Sequence, residues 1–285
     1  MIKAGFVGFG EVNTPKEIIV KKCEAANKAL CGEGIETVSV FPVTDDYEER
    51  GIAHALDVLK ADDFDCLVLC IAGWIPTHAV IKIAEHYRHK PMVLWGLCGW
   101  MEEDRLVTTA DQAGTSALRK TMCDLGYSFK YIYDIIGMPT RSDRVASYCR
   151  AASVAAKLRH ARVGMAGYRD MNLYGTLADG PSLKRVVGPE IETFELLEVF
   201  GRSEKVSEEE KRAVVTAITE GGMLDGKNIT PWNFLAKASD EALMKAAGYY
   251  IAVKQLVDER GYEAVSLKDV DGMKKLLGFP PAPVF

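Results

Sequence analysis

The chain has 285 residues, 48% of them hydrophobic and 26% charged, an ordinary composition for a soluble globular protein and enough length for about two domains. Lys and Arg total 35 against 40 Asp and Glu, so the net charge is −5 with no basic block, which argues against nucleic acid as a partner. No apolar run reaches the ~18 residues of a membrane span, and the N-terminus enters a strand without the layout of a signal peptide, so neither membrane nor secretion is expected.

Taken in order, Ile2 to Phe9 predicts a first strand, followed by a helix over 14–30 with Thr14 as N-cap, Pro15 at the first helical position and Glu17 three residues after the cap. A strand over 35–41 and a helix over 47–60 follow. Residues 65–71 are almost wholly apolar, as a central parallel strand should be. Next come a helix over 76–86, a strand over 91–95, a helix over 114–125, a strand over 129–132 and a long helix over 141–160. Strand and helix alternate throughout, the pattern of a doubly wound parallel sheet.

The strand pattern restarts at Val163 to Ala166, and this point divides the chain into 1–160 and 161–285. The run Gly167-Tyr168-Arg169-Asp170 then falls where a parallel strand ends and a loop begins. Open α/β sheets bind ligands at that edge, which makes Arg169 a candidate contact; a solvated turn is the plainer alternative. A helix over 181–187, a strand over 191–196 and a helix over 207–220 follow, the last opened by Ser207 and three acids. Thr230-Pro231 predicts a very long helix to about Glu259, with Ser239-Asp240 as its candidate break. A strand over 262–267, a helix over 269–277 and the start of another strand at 283–285 complete the chain.

The seven cysteines, 23, 31, 66, 70, 98, 123 and 149, are an odd number scattered through apolar segments, which fits reduced thiols and a cytoplasmic home. Cys66 and Cys70 share one face of a strand. None of the histidines stands in a metal-binding arrangement with acids, and there is no nucleophile elbow or Walker loop. Gly8-Phe9-Gly10 imitates a dinucleotide fingerprint, but Asn13 stands at the third glycine and Glu11 would repel a phosphate. What the strand ends do offer suits sugars. Trp74 follows the central strand between Gly73 and Pro76, Trp95 lies on the next, and Lys268-Asp269 follow the strand at 262. Aromatic rings stack on sugar C–H faces, and Lys, Arg and Asp bond hydroxyls. Either tryptophan could instead be a core residue.

At these residues the chain resembles a known family. Cys-Ile-Ala-Gly-Trp (70–74), Val-Leu-Trp-Gly (93–96), the segment from Ala161 to Met171 and Ala-Val-Ser-Leu-Lys-Asp-Val-Asp-Gly (264–272) are similar to the L-fucose isomerase / L-arabinose isomerase superfamily. The resemblance covers essentially the whole chain, and Gly-Tyr-Arg-Asp-Met is its most specific part. It implies an aldose–ketose isomerase, homo-oligomeric, with two Rossmann-like domains and a β-rich C-terminal domain. A divalent metal, usually manganese, would be held by acids and a histidine, with proton transfer through an enediol. It also implies that this chain carries the two N-terminal domains without the β-rich one. The second sheet would be cut near Pro283, before the first metal-binding acid, so the chain alone would bind no manganese and be inactive. Substrate-side residues implied are Trp74, whose family counterpart reaches the sugar of a neighbouring subunit, then Lys268 and Asp269, and Glu11. The alternatives are a non-catalytic sugar-binding module and a nucleotide-dependent oxidoreductase.

Overall fold

Residues 2–234, 238–268 and 270–279 are described by the computed structural model of the chain. Two compact units divide it, Met1–Ala156 and Lys157–Phe285.

The first unit is built on strands β1 (Lys3–Phe9), β2 (Glu36–Val43), β3 (Cys66–Ile71), β4 (Met92–Gly96), a short hairpin β5 (Trp100–Glu102) and β6 (Arg105–Val107), and β7 (Phe129–Tyr133). Between them run helices α1 (Lys16–Gly32), α2 (Arg50–Lys60), α3 (Thr77–His86) and α4 (Asp111–Asp124), and after them α5 (Ser142–His160). The five long strands form one parallel sheet in the order β2-β1-β3-β4-β7. Alternate residues of each strand enter opposite cores, because side chains leave a strand on alternating faces. Phe6, Cys66, Val68, Cys70 and Trp95 meet α1 and α5 on one side. Val7, Phe9, Leu67, Leu69 and Ile71 meet α2, α3 and α4 on the other. Every residue of β3 is buried, which explains its unbroken apolar run. Cys66 and Cys70 do share a face, and all seven cysteines are free thiols.

The Gly8-Phe9-Gly10 run has a packing cause. A Cβ on Gly8 would lie 2.3 Å from Cys23 Sγ, and one on Gly10 would lie 2.5 Å from Ile19 Cδ1, so these glycines let α1 close onto the sheet. The first helix starts later than Thr14 predicts, with Pro15 at the N-cap and no side-chain cap. Thr14 instead turns its hydroxyl toward the Glu11 carboxylate at 3.5 Å.

The second unit holds β8 (Arg162–Ala166), α6 (Gly180–Val186), β9 (Glu190–Phe194), α7 (Leu196–Ser203), α8 (Glu208–Glu220), the hairpin β10 (Gly222–Leu224) and β11 (Lys227–Ile229), α9 (Asp240–Arg260) and β12 (Ala264–Leu267). Strands β12, β8 and β9 form a parallel sheet in that order. Its core joins Ala166, Phe194, Val199, Tyr249, Leu256 and Tyr262. Ser207 caps α8 in a full capping box with Glu210, as the Ser-Glu-Glu-Glu run predicts.

Three expectations need correction here. The long helix does not begin at Thr230: residues 231–234 are non-helical, and α9 starts only after Ser239, whose side chain accepts from Ala242 N at 3.2 Å. The Ser-Asp-Glu sequence there is a genuine helix start, with the cap and acids in the first turn. The strand expected over 191–196 stops at Phe194, and a helix follows at once. The helix expected over 269–277 is largely a kinked turn, since Asp271 is extended and Gly272 has φ +79; only Lys275–Leu277 is regular helix. Asp269 and the strand expected at 283–285 lie outside the described residues. No described helix is long and apolar enough to cross a membrane.

Candidate functional site

In the sheet order β2-β1-β3-β4-β7 the direction of winding reverses between β1 and β3. The carboxyl ends of strands at such a reversal are the usual ligand position in open α/β sheets. Glu11 lies on the loop after β1 and Trp74 on the loop after β3, and the two are in direct backbone contact: Glu11 N donates to Trp74 O at 2.6 Å. Trp74 N donates in turn to Thr109 O at 2.7 Å, so the residue is pinned on both sides. Gly73 permits the turn, because a Cβ there would lie 2.7 Å from Ile19 Cδ1. The Trp74 residue stays 37% exposed, neither core nor fully solvated. Trp95, by contrast, is wholly buried and donates from Nε1 to Asp134 Oδ1 at 3.0 Å, so it belongs to the core.

Next to the Trp74 loop lies a polar network. The Lys22 ammonium pairs with the buried carboxylate of Asp111 and donates to Thr109 Oγ1 at 2.9 Å. Asp134, also buried, accepts from Thr140 Oγ1 at 2.9 Å and Arg141 N at 3.0 Å besides Trp95. Lys22, Cys98, Asp134 and Thr140 line a small cavity of about 190 Å³. Burial first, then the carboxylates of Asp134 and Asp111, pushes the Cys98 thiol up, which keeps it protonated and a poor nucleophile.

The loop after β1 offers little to a phosphate. Gly10 N donates to Val43 O, Val12 N to Asp45 Oδ1 and Thr14 N to Glu11 O. With Glu11 N spent on Trp74, these N–H groups already have protein acceptors, whereas a phosphate-binding turn presents its donors to the ligand.

At the carboxyl edge of the second sheet, Gly167, Tyr168, Phe194, Glu195 and Lys268 line a cavity of about 550 Å³, closed on its apolar side by Met273 and Leu276. Lys268 N donates to Ala166 O, and its side chain lies against Gly167, where an added Cβ would come within 2.9 Å of Lys268 Cβ. Two loops interlock beside it: Asp271 N donates to Asp170 Oδ1 at 3.0 Å, and Met171 N donates to Asp271 Oδ2 at 2.8 Å. Bonds from Lys275 and from Met171 N hold the Asp271 carboxyl below its ordinary range. Arg169 is not directed at this cavity. Its guanidinium stacks on Tyr174 with 4.3 Å to the ring centroid and donates to Asn172 O, bracing its own loop.

Glu11 and Trp74 are thus brought together on the first unit, and Lys268 stands at a cavity on the second. Arg169 is used locally, and Asp269 lies outside the described residues. Lys22, Thr109, Asp111 and Asp134 were not foreseen. Among the described residues no group of three or more His, Cys, Asp or Glu is placed to hold a metal ion. No protein-family model matches the chain, and no curated protein matches it.

Proposed function

We propose that this chain belongs to a cytoplasmic aldose–ketose isomerase of the L-fucose / L-arabinose type, its two α/β units corresponding to the two Rossmann-like domains of that family. The observation that carries this reading is Trp74. It is a half-exposed indole with both backbone polar groups bonded, seated with Glu11 where the winding of the parallel sheet reverses. An aromatic ring on one loop and a carboxylate residue on the loop bonded to it suit a sugar, since a ring can cover C–H groups and a carboxylate can accept from hydroxyls. In the second unit, taken by itself, Lys268 stands at a cavity as a candidate hydroxyl or carbonyl donor.

The described residues do not fit a manganese site, so no chemical step is assigned to them. In this reading the chain binds and orients sugar, and the ligands and the acid–base pair come from residues not described here, with a site shared between copies in a homo-oligomer. A non-catalytic sugar-binding module is the second reading, since a rigidly held aromatic at the sheet's switch point binds a sugar without needing any chemistry. The nucleotide-dependent reading is disfavoured by the spent N–H groups of the first loop.

The test has two arms. Saturation-transfer NMR of residues 1–285 with L-fucose, L-arabinose and D-arabinose should show binding that Trp74→Ala weakens. The same protein with manganese should form no ketose. Chelator-sensitive turnover would show that the ligands lie in this chain after all, and no binding of any of these aldoses at millimolar concentration would remove the sugar reading. A longer chain that binds sugar yet never forms ketose with manganese would favour the binding module.

A further inference from the structure

The Lys22–Asp111 ion pair beside the Trp74 loop is buried. The Lys22 side chain is only 12% exposed and that of Asp111 0%. Burying two charges costs desolvation that their attraction offsets only when further hydrogen bonds complete the site, so such a pair is weak evidence for stability. Here the further bonds lead to one place. Lys22 Nζ donates to Thr109 Oγ1 at 2.9 Å, and the Thr109 hydroxyl spends its single proton on Ala72 O at 2.6 Å. The carbonyl of Thr109 accepts from Trp74 N. Thr109 therefore grips the Trp74 loop twice, at residue 72 with its side chain and at residue 74 with its backbone. Lys22 holds Thr109 in place, and Asp111, two residues further along, holds Lys22. Helix α4 adds a steric stop, since a Cβ on Gly114 would lie 3.3 Å from Trp74 Cα. The Lys22 ammonium also lies 5.8 Å from the centroid of the Trp100 ring.

We propose that Lys22, Asp111 and the Thr109 hydroxyl are positioning residues that fix the Trp74 loop in the pose from which its ring stacks on a sugar. The proposal rests on the sugar-binding reading of Trp74. An indole has two side-chain torsions, so once its backbone is immobile little entropy remains to be lost on stacking. The clamp joins α1, the end of the hairpin and the start of α4 to one loop. None of its side chains needs to touch the sugar.

The test uses the full chain labelled with 5-fluorotryptophan, the Trp74 resonance being assigned by Trp74→Phe, and L-fucose as the probe. Thr109→Val keeps the shape and the backbone bond to Trp74 but deletes the hydroxyl. Its Trp74 resonance should shift or broaden, and L-fucose should bind about fivefold more weakly, the worth of roughly one hydrogen bond. Thr109→Ser should restore both, which a general loss of packing would not allow. Lys22→Met should reproduce the Thr109→Val resonance; it strands a buried carboxylate, and if that unfolds the chain the threonine pair decides the matter. An unchanged Trp74 resonance in Thr109→Val overturns the proposal. So does a moved resonance with unchanged affinity, which would leave the clamp a purely structural element. If the unaltered protein binds no L-fucose, the sugar reading fails for that sugar, while the resonance still decides whether the clamp positions Trp74.

Discussion

Truncating Trp74 to alanine should have a cost that neither a core nor a surface residue would show. An enclosed aromatic side chain withdraws ~200 Å² from water. With the residue 37% exposed, roughly 130 Å² of that is realised. At about 25 cal/mol per Å² this corresponds to about 3 kcal/mol. A compact unfolded chain already hides part of that area, by roughly 10–40%, which brings the expectation to about 2 kcal/mol. Fully buried aromatics lose about 3–5 kcal/mol on truncation, and surface positions stay within about 0.5 kcal/mol. Denaturant unfolding followed by far-UV circular dichroism measures the change, provided the transition of the first unit is resolved from that of the second. In parallel, sugar affinity should fall by about tenfold or more, as for an aromatic anchor in a binding site. A stability loss above about 4 kcal/mol would show a core role and refute the exposure argument. A loss near 2 kcal/mol with unchanged affinity would leave Trp74 a rim residue and remove it from the site.

Two further outcomes follow from the same network and its neighbours. Asp134→Ala leaves the donors of Trp95, Thr140 and Arg141 without an acceptor and should cost about 3–5 kcal/mol, whereas Asp134→Asn keeps one oxygen for Trp95 and Arg141 and an amide for the Thr140 hydroxyl, and should cost about 1 kcal/mol; equal losses would refute the network. Tyr127, whose phenol is pushed up to about 12 by burial and then by its bond to Glu85, is held neutral by the fold, so its contribution is complete below pH ~10, the unfolded value, and is lost as pH rises toward 12. Tyr127→Phe should therefore lose less stability than the unaltered protein between pH 9 and pH 11.5, read from alkaline denaturant melts; identical slopes would refute this.

What the sequence made legible was whatever depends on neighbours along the chain. The unbroken apolar run of β3, the Ser207 cap of α8 and the Gly-Trp-Ile-Pro turn after β3 are each written within a few residues, and each is found where local chemistry puts it. The hairpin β10–β11 was missed although its turn, Asp225-Gly226, is a pair suited to two consecutive left-handed residues, both of which have positive φ. Its strands of three residues are too short to show an alternating pattern. Arg169 differs for another reason: its place after β8 suggests a ligand contact, and the structure adds what that placement does not show, a guanidinium stacked on Tyr174 and donating to Asn172 O.

The clamp behind Trp74 could not have been found from local pattern at all. Lys22 bonds Thr109 and Asp111 across 87 and 89 residues, and on helix α1 it passes for an ordinary lysine among polar neighbours. Only the parallel sheet, by bringing the ends of β1 and β3 together under the start of α4, makes these groups neighbours. That difference in range has a consequence for substitution. A change at Gly73 or Pro76 alters the Trp74 turn by local geometry. A change at Lys22 acts on the same turn from a distance, through Thr109 and through Asp111 at the start of α4, and so should be repaired by changes that hold those two residues in place. If the loop is held in the way its hydrogen bonds indicate, the two kinds of variant will disturb Trp74 alike yet differ in what repairs them.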